Sequence, residues 1–196
     1  IASVLLGDVN PSGKLPFTFP VCLEDVGAHK LGDYPGVKRE NENIWDVKYN
    51  EGIFVGYRWF DKERIKPLFA FGHGLSYTQF EYGKVTLSAK EMTQDGKIVL
   101  TVPVTNVGKR DGAEIVQLYI HDEKSSLSRP EKELKGFCKV ELAVGETKNV
   151  SFTIDKSSLN FFDDKRHEWI AEPGKFEAVI AASAADIKSR TVFELK

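Results

Sequence analysis

The feature that most constrains the fold is a series of short β-strand candidates that begins after Pro67. In one of them, Ile98, Leu100 and Val102 follow a period of two and therefore share one face. The segment 113–120 is apolar on both faces, which predicts a central strand. The candidate strands are 77–87, 97–105, 113–120, 131–142, 147–154, 159–162, 169–170, 175–182 and 190–195. Seven or more short strands, separated by turn signals and with no helical stretch between them, predict a mainly β fold, an antiparallel β-sandwich.

The charge balance excludes two classes of partner. The 27 Lys and Arg residues nearly offset the 29 Asp and Glu residues, which leaves a net charge of −2. The chain therefore has no long-range attraction for nucleic acid or for an anionic membrane surface, and we expect neither as a partner. No apolar run approaches the ~20 residues that a bilayer-spanning helix needs. Cys22 and Cys138 lack a CxxC spacing, so we expect two separate thiols.

The first residues predict a piece of a longer chain. The sequence begins IASVLLGD, without Met or a basic leader region. Its apolar run ends at Gly7, which is typical of the last turns of an amphipathic helix closed by a glycine. Such a helix needs a partner surface, which we expect upstream of Ile1. Pro16 and Pro20 limit the segment 15–20 to a short edge strand at most.

Between 21 and 66 no period of 2.0 or 3.6 residues is sustained, which predicts an irregular connecting arm. The arm contains seven isolated aromatic residues, which are Tyr34, Trp45, Tyr49, Phe54, Tyr57, Trp59 and Phe60. A flexible linker is poorer in rings, so we expect the arm to pack against a neighbouring surface.

Four sequence blocks, taken in order, resemble the family 3 glycoside hydrolases. These blocks are GDVNPSGKLP at 7–16, EGIFVGYRWFD at 51–61, PLFAFGHGLSY at 67–77 and RPEKELKGF at 129–137. They are similar, respectively, to the end of the family's α/β sandwich domain, its connecting arm, the start of its terminal domain, and a loop and strand of that domain. The resemblance covers essentially the whole chain, and four blocks in the correct order make it specific.

The resemblance implies an immunoglobulin/fibronectin type III-like antiparallel β-sandwich preceded by an irregular N-terminal arm. The implied domains are 1–20, the incomplete tail of the α/β sandwich domain, 21–73, the connecting arm, and 74–196, the fibronectin type III-like sandwich. The parent enzyme would be a β-glucosidase-like hydrolase of terminal β-D-glycosidic bonds. It would be periplasmic, secreted or cytosolic, with the first two favoured.

Catalysis in this family implies residues that lie upstream. Retaining glycosidases use two carboxyl groups about 5 Å apart, and the family's pair comes from domains that precede Ile1. We therefore assign no catalytic, cofactor-binding or metal-binding residue to this chain, and no cofactor. The expected partners are the upstream catalytic domains of the same polypeptide, with a β-linked oligosaccharide near the arm as a further candidate.

The chain's own residues offer no replacement for that pair. Asp163 and Asp164, or Asp122 and Glu123, are adjacent acids that could be imagined as a catalytic pair. In a strand two neighbours face opposite ways, and in a turn both are in solvent. We therefore expect solvated turn carboxylates. The four histidines lack the spacing of a metal site, and they are His29, His73, His121 and His167. The serines considered lack a nucleophile-elbow context, and they are Ser12, Ser76 and Ser128. His73, between two glycines, is expected to be a structural residue of a tight loop.

Two classes of function remain for the piece itself. One is a structural and interaction module that packs on the catalytic domains, and the alternative is an independent carbohydrate-binding module. Sugar-binding sandwiches display exposed rings, whereas Tyr119 and Trp169 fall in strand patterns where burial is expected, which favours the structural module. We also expect self-association through apolar residues of the first ~66 positions, namely those at 1–6 with Phe17, Phe19, Trp45, Phe54, Trp59 and Phe60.

Overall fold

The alternating segments of the sequence form strands that pair in two large sheets. The computed structural model describes all 196 residues, Ile1 to Lys196. The strands are β1 (Val37–Lys38), β2 (Trp45–Asp46), β3 (Phe80–Tyr82), β4 (Thr86–Leu87), β5 (Glu91–Met92), β6 (Ile98–Asn106), β7 (Gly112–Asp122), β8 (Glu133–Leu142), β9 (Thr147–Ile154), β10 (Phe161–Asp163), β11 (Glu168–Ile170), β12 (Gly174–Ala181) and β13 (Ile187–Leu195). The helices are α1 (Ala2–Leu5), α2 (Gly27–Lys30), α3 (Tyr57–Glu63) and α4 (Lys156–Leu159), with a 3₁₀ turn at Leu23–Asp25. No helix is long and apolar enough to span a bilayer.

The two sheets confirm the predicted mainly β sandwich. One sheet has the order β5-β13-β12-β7-β8, antiparallel except for the β5–β13 pair, and β7 lies inside it as its two apolar faces predicted. In the other sheet β6 pairs along its length with β9 and, on its opposite edge, with β3 and then β4. A cluster of 20 buried apolar residues, including Ile98, Leu100 and Val102, fills the space between the sheets. Removing that apolar surface from water is the main force that holds the sheets together.

The structure departs from the sequence-based predictions at three points. The single strand predicted at 77–87 is split into β3 and β4, because its pairing with β6 shifts by one residue: Tyr82 pairs with Val104 but Thr86 pairs with Thr101. The short strand β5 was not predicted, and it pairs in parallel with the end of β13. A helical turn, α4, does lie between strands: Asp155 caps it by accepting a hydrogen bond from the Ser158 amide at 3.2 Å.

The connecting arm is not irregular throughout, because helix α3 forms within it. Its Trp59 and Phe60 side chains are buried inside this chain. The Trp59 indole lies so close to Gly27 that a Cβ added there would be 2.9 Å from the ring, and its Nε1 donates to the Asp25 carbonyl at 3.0 Å. These contacts give the helix the tertiary support that seven residues lack on their own.

The N-terminal tail is tied to the sandwich by several contacts, and one asparagine makes three of them. The Asn10 side-chain oxygen accepts hydrogen bonds from the Tyr77 amide at 2.8 Å and the Ser76 hydroxyl at 2.9 Å, and its Nδ2 donates to the Asp111 carbonyl at 2.9 Å. Ahead of this contact, Gly7 lies just beyond the end of α1 with φ of 83° and donates its amide to the Val4 carbonyl at 3.1 Å, which confirms the predicted glycine closure. Beyond it, Lys14 pairs with Glu114 at 2.9 Å and the Leu15 backbone bonds to Gly72 and His73. The segment 15–20 forms no named strand, only the isolated bridge of Phe19 to Phe69, in keeping with the prediction of a short edge strand at most.

A hairpin projects from the arm. Its strands are β1 and β2, and the residues of both are exposed. At its base the buried Asp33 carboxylate accepts from the Asn50 amide at 2.8 Å and from its side-chain Nδ2 at 2.6 Å. Arg39 and Asp46 form a two-pronged ion pair across the hairpin, with contacts of 2.7–3.1 Å. The two cysteines are free, Cys22 exposed and Cys138 partly buried.

Candidate binding cleft

Three segments that are far apart in sequence line one cleft of about 630 Å³. Helix α3 contributes Arg58, the RPEKELKGF segment contributes Arg129, Glu133 and Lys135, and the β10–β11 hairpin contributes aromatic rings. The volume is in the range of small-molecule sites. The cleft therefore lies where the arm meets the sandwich.

The β10–β11 hairpin presents two rings outward. Its register pairs Phe162 directly with Trp169, and the ring centroids are 5.7 Å apart at an interplanar angle of 65°. Because successive residues alternate between faces, the neighbouring Phe161 points inward and is buried. Trp169 is 63% exposed and Phe162 is 46% exposed. The predicted burial of Trp169 is thus wrong, whereas that of Tyr119 is confirmed.

The turn of that hairpin is fixed by a buried carboxylate. Asp163 is buried, and its Oδ1 accepts hydrogen bonds from the amides of Lys165 at 2.9 Å and Arg166 at 3.1 Å. His167 closes the turn with φ of 54°. The interpretation of Asp163 as a solvated turn carboxylate is therefore wrong: its role is to satisfy turn amides that would otherwise lack partners.

Arg129 anchors the floor of the cleft. Its guanidinium contacts the Asp122 carboxylate at 3.4 Å, donates to the Leu159 carbonyl at 3.4 Å, and pairs with the Glu133 carboxylate. It also lies 4.9 Å from the centroid of the Phe161 ring. The expectation of a solvated carboxylate is wrong for Asp122 as well, since only 4% of its side chain is exposed. Burial raises the pKa of Asp122, and Arg129 opposes that shift.

A β-bulge aims the next charged residues into the same cleft. The β7–β8 register shifts so that Leu118 pairs with Gly136 but Tyr119 pairs with Leu134, and this leaves Lys135 as the extra residue. The Lys135 ammonium lies 3.8 Å from the Glu133 carboxylate. Burial lowers the pKa of Lys135, with Glu133 opposing the shift.

Glu133 is the meeting point of three cations. Besides Arg129 and Lys135, the Arg58 guanidinium of α3 lies 3.5 Å from its Oε1. Burial by itself raises the pKa of Glu133, but the hydrogen bond from Arg129 and the surrounding positive charges outweigh it and leave the pKa below its ordinary value. Glu133 is therefore ionised at neutral pH and acts as a hydrogen-bond acceptor.

Helix α3 is held against the sandwich by contacts beside the cleft. The Asp61 carboxylate and the Lys132 ammonium are 2.5 Å apart, and the Tyr57 hydroxyl accepts from the Leu134 amide at 2.9 Å. The Tyr57 ring also contacts the Tyr119 ring, with centroids 5.7 Å apart. Burial raises the pKa of Asp61 despite its pairing with Lys132.

The other residues considered from the sequence lie elsewhere or play local roles. His73 stacks on Phe69 with centroids 5.2 Å apart, and its carbonyl accepts from the Leu15 amide, in keeping with a structural role in a tight loop. His121 Nδ1 lies 2.7 Å from the Glu131 carbonyl. Ser128 lines the cleft. No three His, Cys, Asp or Glu side chains are grouped as metal ligands would be.

Comparison with known proteins places this architecture in a family. Residues 1–77 match the Glycosyl hydrolase family 3 C-terminal domain and residues 114–184 match the Fibronectin type III-like domain. The chain is 54% identical over 196 residues to the beta-glucosidase BoGH3A of Bacteroides ovatus, covering 99% of this chain and 25% of that protein. This chain belongs to the family 3 glycoside hydrolases.

Other members of the glycoside hydrolase family show the same partial coverage. Thermostable beta-glucosidase B of Acetivibrio thermocellus is 49% identical over 187 residues, covering 95% of this chain and 24% of that protein. The crystal structure of the Bifidobacterium adolescentis GH3 beta-glucosidase superposes with a TM-score of 0.88 at 34% identity, covering 99% of this chain and 27% of that one. The chain thus spans about a quarter of the length of these family 3 relatives.

Two elements of the cleft were missed at the level of sequence. The adjacent pair Phe161 and Phe162 carried a usable signal, because in a strand one of two neighbouring rings must face away from the core. The hairpin register then places Trp169 on the same outward face. The participation of Arg58 had no such signal, since it depends on the docking of α3.

Proposed function

We propose that this chain is the non-catalytic structural and interaction module of a β-glucosidase-like family 3 enzyme, which hydrolyses terminal β-D-glycosidic bonds. The names of the relatives support the parent activity, and the chain's share of their length supports a role apart from catalysis. We further propose the division into 1–20, 21–73 and 74–196, with the catalytic carboxylates upstream of this chain.

The observation that carries the interaction role is the apolar surface of the N-terminal residues. Ile1, Leu5 and Leu6 are largely solvent-exposed on α1, and Phe17 is more than half exposed. Exposed apolar residues in such number are typical of a surface that another domain covers. The sequence-based prediction that Trp59 and Phe60 belong to this surface is wrong, since both are buried within the chain.

Helix α3 of the arm has the opposite character, since it is bound to the sandwich. Tyr57, Asp61 and Arg58 of α3 each contact a residue of the 132–134 segment. A domain seated on the N-terminal residues would therefore be held in a defined position relative to the sandwich. That positioning is the function we assign to the module.

The test of the non-catalytic assignment is an assay of the purified chain with p-nitrophenyl β-D-glucopyranoside. We expect hydrolysis at the rate of buffer alone, because no residue here is assigned to either carboxylate role. Hydrolysis above that rate, lost on replacing a carboxylate of this chain, would contradict the proposal.

A further inference from the structure

The outward rings of the β10–β11 hairpin are not explained by the packing of the fold. Trp169 and Phe162 contact each other across the two strands, yet both remain exposed at the mouth of the cleft. Large rings contribute to stability when they are buried, so a pair left in water at a concave site points to a ligand. Trp169 is 63% exposed rather than buried as its strand position predicted, so this hairpin does display an exposed aromatic surface.

Polar groups converge on the same cleft and are already held in place. Glu133 is fixed by its ion pairs to Arg129 and Arg58, and Arg58 keeps about a third of its side chain exposed. Asp164 lines the cleft from the hairpin turn. Side chains fixed in this way lose little conformational entropy when they bind a ligand.

The charges of the cleft balance, which argues for a neutral ligand. The cations Arg58, Arg129 and Lys135 face the carboxylates of Glu133 and Asp164, and Asp122 pairs with Arg129 beneath them. An anionic ligand would require an excess of positive charge. A protein surface is disfavoured because the centre of a protein interface is depleted of charged residues, whereas charges surround these rings.

A pyranose ring has the chemistry that this arrangement requires. Its C–H face is flat and apolar, and its equatorial hydroxyls both donate and accept hydrogen bonds at the rim. We propose that the cleft binds a neutral saccharide, with one pyranose stacked on Trp169 and its hydroxyls bonded to Glu133, Asp164 and Arg58. This site is additional to the structural role proposed above and is measured without the parent's activity.

The test uses cellotetraose, whose all-equatorial glucosyl units have flat faces, added to the 196-residue chain. The readouts are calorimetry and acrylamide quenching of tryptophan fluorescence. We expect saturable binding with Kd on the order of 1 mM and protection of one exposed indole from the quencher. Trp169→Ala should weaken binding by at least about tenfold, the loss of one ring–sugar contact of about 1.4 kcal/mol.

Trp45 provides the matched control, since it is also a half-exposed tryptophan but lies on the β1–β2 hairpin. Trp45→Ala should leave Kd unchanged. Arg58→Gln should weaken binding by about tenfold through the lost charged hydrogen bond, with circular dichroism confirming that each variant is folded. The proposal is overturned if the wild-type chain shows no saturable binding, if Trp169→Ala binds as well as wild type, or if Trp169→Ala abolishes only self-association of the chain.

Discussion

The ion pair between Asp61 and Lys132 should be the strongest single link between the arm and the sandwich. Only 6% of the Lys132 side chain is exposed, against 21% for Asp61, and their charged atoms are 2.5 Å apart. Replacing Asp61 by Ala leaves an ammonium that water cannot reach without moving the helix. Removal of one partner of a buried pair costs about 3–5 kcal/mol, and we expect about 3 kcal/mol because Asp61 is partly exposed.

Replacing Lys132 instead of Asp61 should lower the free energy of unfolding by less. Lys132→Met keeps the aliphatic volume, and the stranded Asp61 is more exposed and can take up a proton, since burial already raises its pKa. The double variant should then be about as stable as Lys132→Met alone, which gives a coupling energy of about 3 kcal/mol in magnitude. For a chain of this size, about 3 kcal/mol corresponds to a fall in Tm of roughly 6–12 °C.

The measurement is a double-mutant cycle of unfolding free energy by urea titration, with differential scanning calorimetry as a second readout. Lys62→Ala on the same helix is the control: Lys62 is exposed and lies 4.1 Å from the Phe54 ring centroid, so its loss should change the unfolding free energy by no more than about 1 kcal/mol. If Asp61→Ala is as mild as that control, helix α3 is not docked in solution as the structure shows, and the positioning role of the arm fails with it.

Three further predictions follow from the structure. Gly27→Ala should destabilise the chain by about 1–3 kcal/mol because its new Cβ meets the Trp59 ring. The control Gly13→Ala, whose new Cβ has no atom within 4 Å, should be nearly neutral. Equal effects of the two substitutions on thermal unfolding would refute the packing of Trp59 on Gly27. Glu133→Gln should have a lower free energy of unfolding than wild type at pH values above the pKa of Glu133 in the unfolded chain. Because the pKa of Glu133 is lowered in the folded chain, this difference in stability should vanish as the pH falls from about 4.5 through the folded pKa. A difference that stays constant as the pH is lowered would contradict this prediction. Deletion of residues 1–6 should reduce self-association of the chain, as measured by sedimentation velocity. A full-length chain that stays monomeric at all concentrations would show that the apolar surface of these residues does not mediate self-association.

Strict alternation explains which strands were predictable from the sequence. The candidates 97–105 and 147–154 became β6 (Ile98–Asn106) and β9 (Thr147–Ile154), because each buries every second side chain against the other sheet. Helix α3 was not predicted from the sequence because seven residues are too few to establish a helical period, and its stability comes from tertiary contacts of Trp59 and Phe60.

The cleft was less predictable than the strands. Its lining comes from α3, the segment that begins at Arg129, and the β10–β11 hairpin, so nothing local in the sequence indicates that these groups meet. The exposure of Trp169 depends on a register of three residue pairs, and a shift by one residue would have turned the ring toward the core. Asp122 and Asp163 were predicted to be solvated but are buried and hydrogen-bonded. The burial of Asp122 depends on its ion pair with Arg129, and that of Asp163 depends on the geometry of the turn whose amides donate to it.

The Asn10 contact also sets an order of events during biosynthesis. Asn10 and Asp111 are 101 positions apart, so the ribosome must add that stretch before the hydrogen bond can form. At about 5–20 residues per second, this takes roughly 5–20 s. Throughout that interval the segment that carries Asn10 has no folded sandwich to bind, and its neighbouring apolar residues are available to chaperones. Attachment of the N-terminal tail to the sandwich is therefore a late step, completed only when β7 has emerged.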